Sequence, residues 1–395
     1  MKDAAIKELL TRGVERIYPS TEFLESRLKS GKSLTLYLGI DPTGPTLHVG
    51  HMIPLLKLRQ FQDLGHKVIL LIGDFTGMIG DPTDKSAARK RLTREEVLEN
   101  AKLYKTQAGK IIGFDGKNPA ELRYNSEWLG KLSFADGLEL CAHMSHAQVI
   151  KRDMFQKRIA EGKDLYMHEF LYPLMQGYDS VVMDVDGEVG GNDQTFNMLV
   201  GRDLMKKMKN HEKFVVATKL LTDSVGAKMG KTEGNMVAFS DTSTDCFGKV
   251  MSWPDSMILA GFELCTRIPM SDIKTIKVSL EDGENPKNFK QQLAEEITAL
   301  IHGGSEAIKA RDRFEATFTK SEPSEFLEIE FAAKAVAEVL VKKGIVESKS
   351  DLRRLIKEGA LTNLDTNQKV GEEFLTNTQA GRYRIGKHRF VRITE

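Results

Sequence analysis

Hydrophobic positions along the chain recur with two spacings, and changes of spacing mark its elements. Ile6, Leu9, Leu10, Val14 and Ile17 return every three or four residues, which predicts an amphipathic helical region over 1–30. Leu34 to Ile40 reads as a short apolar strand. The pattern from His48 to Leu64 is helical and stops at Gly65, and Val68 to Ile72 is a continuous apolar run. Such a run predicts a strand covered on both faces, hence a parallel one. Strand, helix and strand in that order make a βαβ unit and an α/β fold. Helical patterns follow over 93–112 and 134–161. Val181 to Val185 reads as another buried strand, Asp193 to Met208 as a helix behind a Gly-Gly turn, and Phe214 to Thr218 as a further strand.

From about 240 to 320 the pattern is helical, broken at Pro254, Pro269 and Pro286, and Ser321-Glu322-Pro323-Ser324 reads as a linker. Beyond it, Ala332, Val336, Val339 and Leu340 mark a helix ended by Gly344. Leu352, Leu355 and Ile356 mark another, ended by Gly359, with Arg353, Arg354 and Lys357 off its apolar stripe. Two strands studded with arginine, Tyr383 to Ile385 and Arg389 to Ile393, close the chain. These shifts divide it into segments 1–238, 239–325 and 330–395. There is no internal repeat and no low-complexity tract.

With 395 residues and 41% hydrophobic content the chain can build two or three cored domains. Its cysteines, Cys141, Cys246 and Cys265, are odd in number and show no CxxC spacing. That pattern fits a reducing compartment and argues against a disulfide framework or a thiolate zinc site. No apolar run reaches the length of a membrane span, so a soluble cytoplasmic protein without membrane contact is expected. Net charge is +1, but residues 331–395 carry 13 Lys and Arg against 8 Asp and Glu. A basic tail on a mildly acidic body suits a polyanion partner, or is a merely solvated surface.

The chemistry concentrates in two motifs. Leu38-Gly39-Ile40-Asp41-Pro42-Thr43-Gly44-Pro45-Thr46-Leu47-His48-Val49-Gly50-His51 carries a strand through a turn into a helix start. Free backbone N–H groups and the helix dipole favour phosphate there, and His48 and His51 lie three apart on the first turn. Far downstream, Val225-Gly226-Ala227-Lys228-Met229-Gly230-Lys231-Thr232 sets two lysines in a glycine-bounded loop. Alone, each motif reads equally as a capped surface helix or a solvated lysine loop. Together, in this order and about 180 residues apart, they point to a nucleotide site.

The pair resembles the two signatures of class I aminoacyl-tRNA synthetases, and nearly the whole chain is similar to the bacterial tyrosyl-tRNA synthetases. Tyr37, Gly80-Asp81-Pro82, Tyr172-Pro173-Leu174-Met175-Gln176-Gly177-Tyr178-Asp179 and Gly190-Gly191-Asn192-Asp193-Gln194 carry the likeness. It implies a Rossmann-like parallel-sheet catalytic domain over 1–238, an all-α anticodon-side domain over 239–325 and a small α+β RNA-binding domain over 330–395. The implied substrates are L-tyrosine, ATP with Mg²⁺, and tRNA(Tyr), and the implied assembly is a homodimer.

By the same resemblance, His48, His51 and Thr43 line the ATP phosphates, and Lys228, Lys231 and Thr232 close on them from a loop freed by Gly226, Gly230 and Gly234. Asp41, Gly50, Gly191, Asp193 and Lys231 belong to the ATP side. Tyr37 and Asp179 meet the substrate phenol, while Asp81, Tyr172 and Gln176 cradle the α-ammonium and Gln194 reaches tyrosine. Lys85 and Arg89, in a run with Lys90, Arg91 and Arg94, guide the tRNA end or pyrophosphate, or are a solvated helix start. Arg353, Arg354 and Lys357 make a basic face for tRNA. No dedicated metal cage is visible, and His143, His146 and His168 form no ligand set.

Thr195-Phe196 stands where relatives often have Trp-Gly, and Leu38 where some have a small polar residue, which marks a divergent subgroup. A tryptophan-specific relative would have no use for Tyr37 and Asp179. A catalytically silent RNA-binding protein would have no need of both cationic motifs.

Overall fold

The computed structural model describes residues 2–83, 92–222, 236–319, 326–330, 336–346, 348–366, 368–375, 378–386 and 389–394. It divides into two compact units, Met1–Ala310 and Arg311–Glu395.

The first unit is built on six strands: β1 (Val14–Tyr18), β2 (Thr35–Ile40), β3 (Lys67–Ile72), β4 (Glu121–Tyr124), β5 (Gly187–Gly191) and β6 (Phe214–Thr218). Their order is β1-β6-β5-β2-β3-β4, parallel throughout except for β1 on the edge. Phe214 and Val215 show how both faces are covered. Phe214 stacks on Phe61 of helix Val49–Asp63, with ring centres 5.9 Å apart, while Val215 packs with Met198 of helix Thr195–Lys209 on the other side. From β2 the chain steps outward to β3 and β4, then returns on the other side through β5 and β6. The strand order therefore reverses between β2 and β5, where α/β sheets open a crevice at their carboxyl ends.

Two expected elements are corrected. Val14 and Ile17 do not extend the first helix, which ends at Thr11; they lie in β1, with Ile17 opposite Val216. Gly13, at φ 60°, breaks the helix, and helix Thr21–Lys29 restarts it behind the Ser20 cap. Val181 to Val185 is not a strand either. Val181 and Val182 finish helix Met167–Met183, which stops at Asp184 in the left-handed region, and the strand is the glycine-rich Gly187–Gly191. A short apolar run does not tell a buried strand from a buried helix end. Glycine is required in β5, because a Cβ on Gly187 would stand 2.2 Å from the Phe214 ring.

The long helical patterns are shorter pieces: Arg94–Ala101 and Tyr104–Ala108 in one, Phe134–Cys141, His146–Ile150 and Asp153–Ala160 in the other. Of the three prolines, Pro254 and Pro269 cap the starts of helical segments, and Pro286 opens helix Pro286–His302.

The second unit pairs helices Val336–Lys342 and Lys349–Lys357 with a sheet of β7 (Leu327–Glu330), β8 (Leu361–Asn363), β9 (Gln368–Lys369), β10 (Gly381–Ile385) and β11 (Arg389–Thr394), ordered β7-β11-β10-β8-β9. Its core gathers Leu340, Leu352, Ile356, Tyr383, Ile385, Val391 and Ile393. The expected linker from Ser321 to Ser324 lies outside the described residues.

Candidate active site

A cavity of about 760 Å³ opens at the switch point. Tyr37, Asp41, Thr43, His48, Gly50, His51, Asp81, Tyr172, Gln176, Asp179, Gly191, Asp193 and Gln194 all line it. These are all the described residues to which the resemblance assigned tyrosine or ATP.

One wall is the turn after β2. Its carbonyls and amides are held from outside: Asn100 Nδ2 donates to Pro42 O at 3.0 Å, Tyr104 Oη to Gly44 O at 2.7 Å, and Gln107 Oε1 accepts from Leu47 N at 2.6 Å. The turn delivers His48 as the cap of helix Val49–Asp63. His48 Nδ1 accepts from Gly50 N at 3.1 Å, and His51 Nδ1 accepts from His48 N at 3.2 Å. With both Nδ1 atoms accepting, each neutral imidazole carries its proton on Nε2, a donor suited to an anion. The rings stand 4.0 Å apart. A Cβ on Gly50 would meet the His48 ring at 2.9 Å, so glycine makes room for it.

The described residues on either side of the lysine motif both reach the cavity region. After β6, Leu220 and Leu221 line the cavity; at the other end Val49 N donates to Val237 O, and Phe239 N to Leu47 O, each at 2.9 Å. Lys228, Lys231 and Thr232, with Gly226, Gly230 and Gly234, lie outside the described residues, as do Lys85 and Arg89. Arg353, Arg354 and Lys357 belong to the second unit.

The buried end of the cavity is a polar network in an apolar shell. Asp179, 2% exposed, accepts from Trp128 Nε1 at 2.8 Å and from Asn125 Nδ2 at 3.3 Å. Burial still pushes its carboxyl well above the usual range, against the pull of those two donors. The ionised form therefore gains from one more donor, and a phenol O–H is one. Beside it, Tyr37 Oη lies 3.0 Å from Ser180 Oγ; burial, then the charges of Glu188 and Asp179, raise its pKa and keep it a neutral hydroxyl. Below Tyr37 sits the fully buried Lys213. Its ammonium donates to Ser180 at 2.8 Å and to Glu188 at 2.5 Å, 5.7 Å from the Tyr37 ring centre. Burial lowers the Lys213 pKa, and Glu188 opposes that.

Between these ends lie the remaining carboxylates. Asp41 accepts from Tyr172 Oη and from Thr76 Oγ1, each at 2.7 Å. Asp81 accepts from Gln194 Nε2 at 2.7 Å, and Gln176 Nε2 donates to Glu188 at 3.1 Å. Tyr172 and Gln176 share one face of helix Met167–Met183, as their spacing of four requires. Gly191 has no room for a side chain, since a Cβ would stand 2.5 Å from Asp193 Oδ1.

Sequence reasoning missed Thr76, Asn125 and Trp128, which hold the two acids, and the Ser180–Glu188–Lys213 group. Glu188 lies in the strand Gly187–Gly191, outside the expected strand at 181–185. Among the described residues no cluster of three His, Cys, Asp or Glu side chains fits a metal ion, and no helix is long and apolar enough to cross a membrane.

A switch-point crevice with a histidine-capped helix at its mouth and a carboxylate–phenol pair at its base is the architecture of a nucleotide-dependent amino-acid activator. Residues 29–319 match the family model of class I tRNA synthetases for tryptophan and tyrosine (W and Y). The chain belongs to this family and is an aminoacyl-tRNA ligase. Within it, a tyrosine–tRNA ligase of Idiomarina loihiensis is 42% identical, over 98% of this chain and 97% of that one. A tyrosine–tRNA ligase 2 of Vibrio cholerae is 41% identical, over 99% and 98%. Among solved structures, a C-terminally truncated mitochondrial tyrosyl-tRNA synthetase of Coccidioides posadasii aligns with a TM-score of 0.65 at 26% identity, over 78% of this chain and 91% of that one. The tyrosyl-tRNA synthetase of Archaeoglobus fulgidus, solved with L-tyrosine, shares the fold at a TM-score of 0.62 and 20% identity, over 79% and 100%.

Proposed function

We propose that the chain is a tyrosine–tRNA ligase: it activates L-tyrosine with ATP and passes the tyrosyl group to the 3′ end of tRNA(Tyr). The observation that carries this reading is the buried Asp179–Tyr37 pair at the base of the cavity. A phenol placed there gives Asp179 its third donor. Phenylalanine would leave the acceptor unmet, at a cost of about 1–3 kcal/mol or more, and an indole presents no hydroxyl to it.

The tyrosine carboxylate attacks the α-phosphorus of ATP; the α–β phosphoanhydride bond breaks and pyrophosphate leaves with the electron pair. The substrate supplies the nucleophile, so the protein's work is positioning and stabilising charge. Asp81, Tyr172, Gln176 and Gln194 hold the amino-acid end. His48, His51 and Thr43 donate to the phosphates, Asp41, Gly50, Gly191 and Asp193 serve the nucleoside side, and Lys228, Lys231 and Thr232 neutralise the leaving pyrophosphate. Mg²⁺ enters as the complex of ATP and spreads the charge on its phosphates. A terminal ribose hydroxyl of tRNA then attacks the adenylate carbonyl, and AMP leaves.

In this reading 1–238 is catalytic, 239–325 serves the anticodon side and 330–395 binds RNA, with Lys85 and Arg89 guiding the acceptor end. The protein works in the cytoplasm as a homodimer. Phe134, 84% exposed, and Met167, 77% exposed, supply apolar surface for a second copy. The test is ATP–pyrophosphate exchange with tyrosine, tryptophan and phenylalanine in parallel. Tyrosine alone should support it, and Asp179→Ala should abolish it; a fully active Asp179→Ala enzyme, or equal rates with tryptophan, would overturn the assignment.

A further inference from the structure

The first unit holds a second cavity, of about 310 Å³. Three helices wall it: Lys2–Thr11, Val49–Asp63 and Ile258–Cys265. Ile53 lines both this cavity and the crevice described above. The volume lies at the lower end of small-ligand sites, so it admits only a small molecule.

The charges around it are matched in all but one place. Glu8 pairs with Arg12 at 2.9 Å, Asp63 with Arg59 at 2.6 Å and Arg267 at 2.8 Å, and Glu263 with Lys219 at 2.9 Å. Arg12 spends its five N–H donors on Glu8 and on the carbonyls of Phe262, Glu263, Thr266 and Ile268. Lys57 is the exception. It is 3% exposed and donates once, to Leu9 O at 2.6 Å. Among the described residues no carboxylate stands within ion-pair distance of it, and no acceptor meets its other two N–H bonds. Buried charges are ordinarily paired, and a buried donor without an acceptor is costly. The remaining lining is largely apolar, with Ile53, Leu56, Leu64 and Leu264.

We propose that this cavity is a binding site for a small monocarboxylate with an apolar body, whose carboxylate pairs with the Lys57 ammonium. A cationic ligand would find each of the three acids already taken. A neutral one would leave the buried ammonium as it is. A dianion would bring a second charge that no free cation answers. The apolar side chains favour a hydrocarbon body over a bare anion. The site stands apart from the crevice and does not depend on which amino acid the chain activates.

The test is calorimetric titration of the full-length protein with hexanoate at pH 8. One site per chain is expected, with Kd about 1 mM, as suits so small a ligand. Burial, then the Arg12 charge, hold the Lys57 pKa down to about 7, against the pull of Glu8 and Glu263; Arg59, Asp63 and Arg267 are occupied with one another. A bound carboxylate favours the charged amine, so binding should take up about one proton, read from the difference in heat between Tris and HEPES buffers. Hexanol and inorganic phosphate should each bind about tenfold more weakly or worse, as should hexanoate to Lys57→Met, because each lacks one half of the fit. Leu56→Trp leaves the ammonium in place and fills the apolar part of the cavity. It should lose affinity to the same degree, and it keeps the test decisive if Lys57→Met does not fold. No binding of hexanoate by the wild type, hexanol as tight as hexanoate, binding without proton uptake, or full affinity in the variants would each overturn the proposal.

Discussion

Replacing Lys213 by methionine isolates the group beneath the Tyr37 ring. Lys213 is 0% and Glu188 2% exposed, and they share a 2.5 Å bond. Methionine fills the stem's space and leaves Glu188 with the Gln176 amide but no counter-charge. Breaking a buried pair by removing one partner costs about 3–5 kcal/mol, because the other charge stays desolvated. For a unit of this size each kcal/mol moves Tm by roughly 2–4 °C, so Tm should fall on the order of 10 °C. Lys213→Met/Glu188→Gln discharges both members and should recover most of the loss. Denaturant unfolding of the two variants and the wild type gives the coupling directly. Because the ammonium also holds Ser180, and Ser180 the Tyr37 hydroxyl, the single variant should raise KM for tyrosine more than it lowers kcat. A single variant as stable as the wild type, or a double variant no better than the single, would refute the account.

Two further outcomes follow from crowding and burial elsewhere. At Gly73 an added Cβ would stand 1.9 Å from Asp41 Oδ1 and 2.4 Å from Thr76 Oγ1, so Gly73→Ala must break the Asp41–Thr76 bond. It should cost about 1–3 kcal/mol of stability and lower kcat/KM for exchange by about tenfold or more; wild-type exchange in this variant would contradict the close approach. Lys57 donates to Leu9 O at 2.6 Å, and burial, then Arg12, bring its pKa down to about 7, below the unfolded value near 10.4. Between those pH values the unfolded chain binds the extra proton, so stability rises with pH across the window. Relative to Lys57→Met, the wild type should gain on the order of 4 kcal/mol from pH 7 to 10; a difference that does not change with pH would contradict it.

The strand–turn–helix unit around His48 was legible because its determinants are local. The apolar run of β2, the turn residues, the capping histidine and the stop at Gly65 all act within a few residues. The spacing of Tyr172, Gln176 and Asp179 is local in the same sense, since one helix sets which of them share a face. Tertiary contacts settled the rest. Val14 and Ile17 keep a helical spacing, yet β6 offered them an edge to pair with. Glu188 and Lys213 became partners only because β5 and β6 lie side by side, with Glu188 opposite Val215. Asn125 and Trp128 reach Asp179 from a segment more than 50 residues away. Backbone sterics and hydrogen bonding within a turn are written in neighbouring residues. Which buried charge meets which donor depends on strand order and register, and these follow from packing the whole unit.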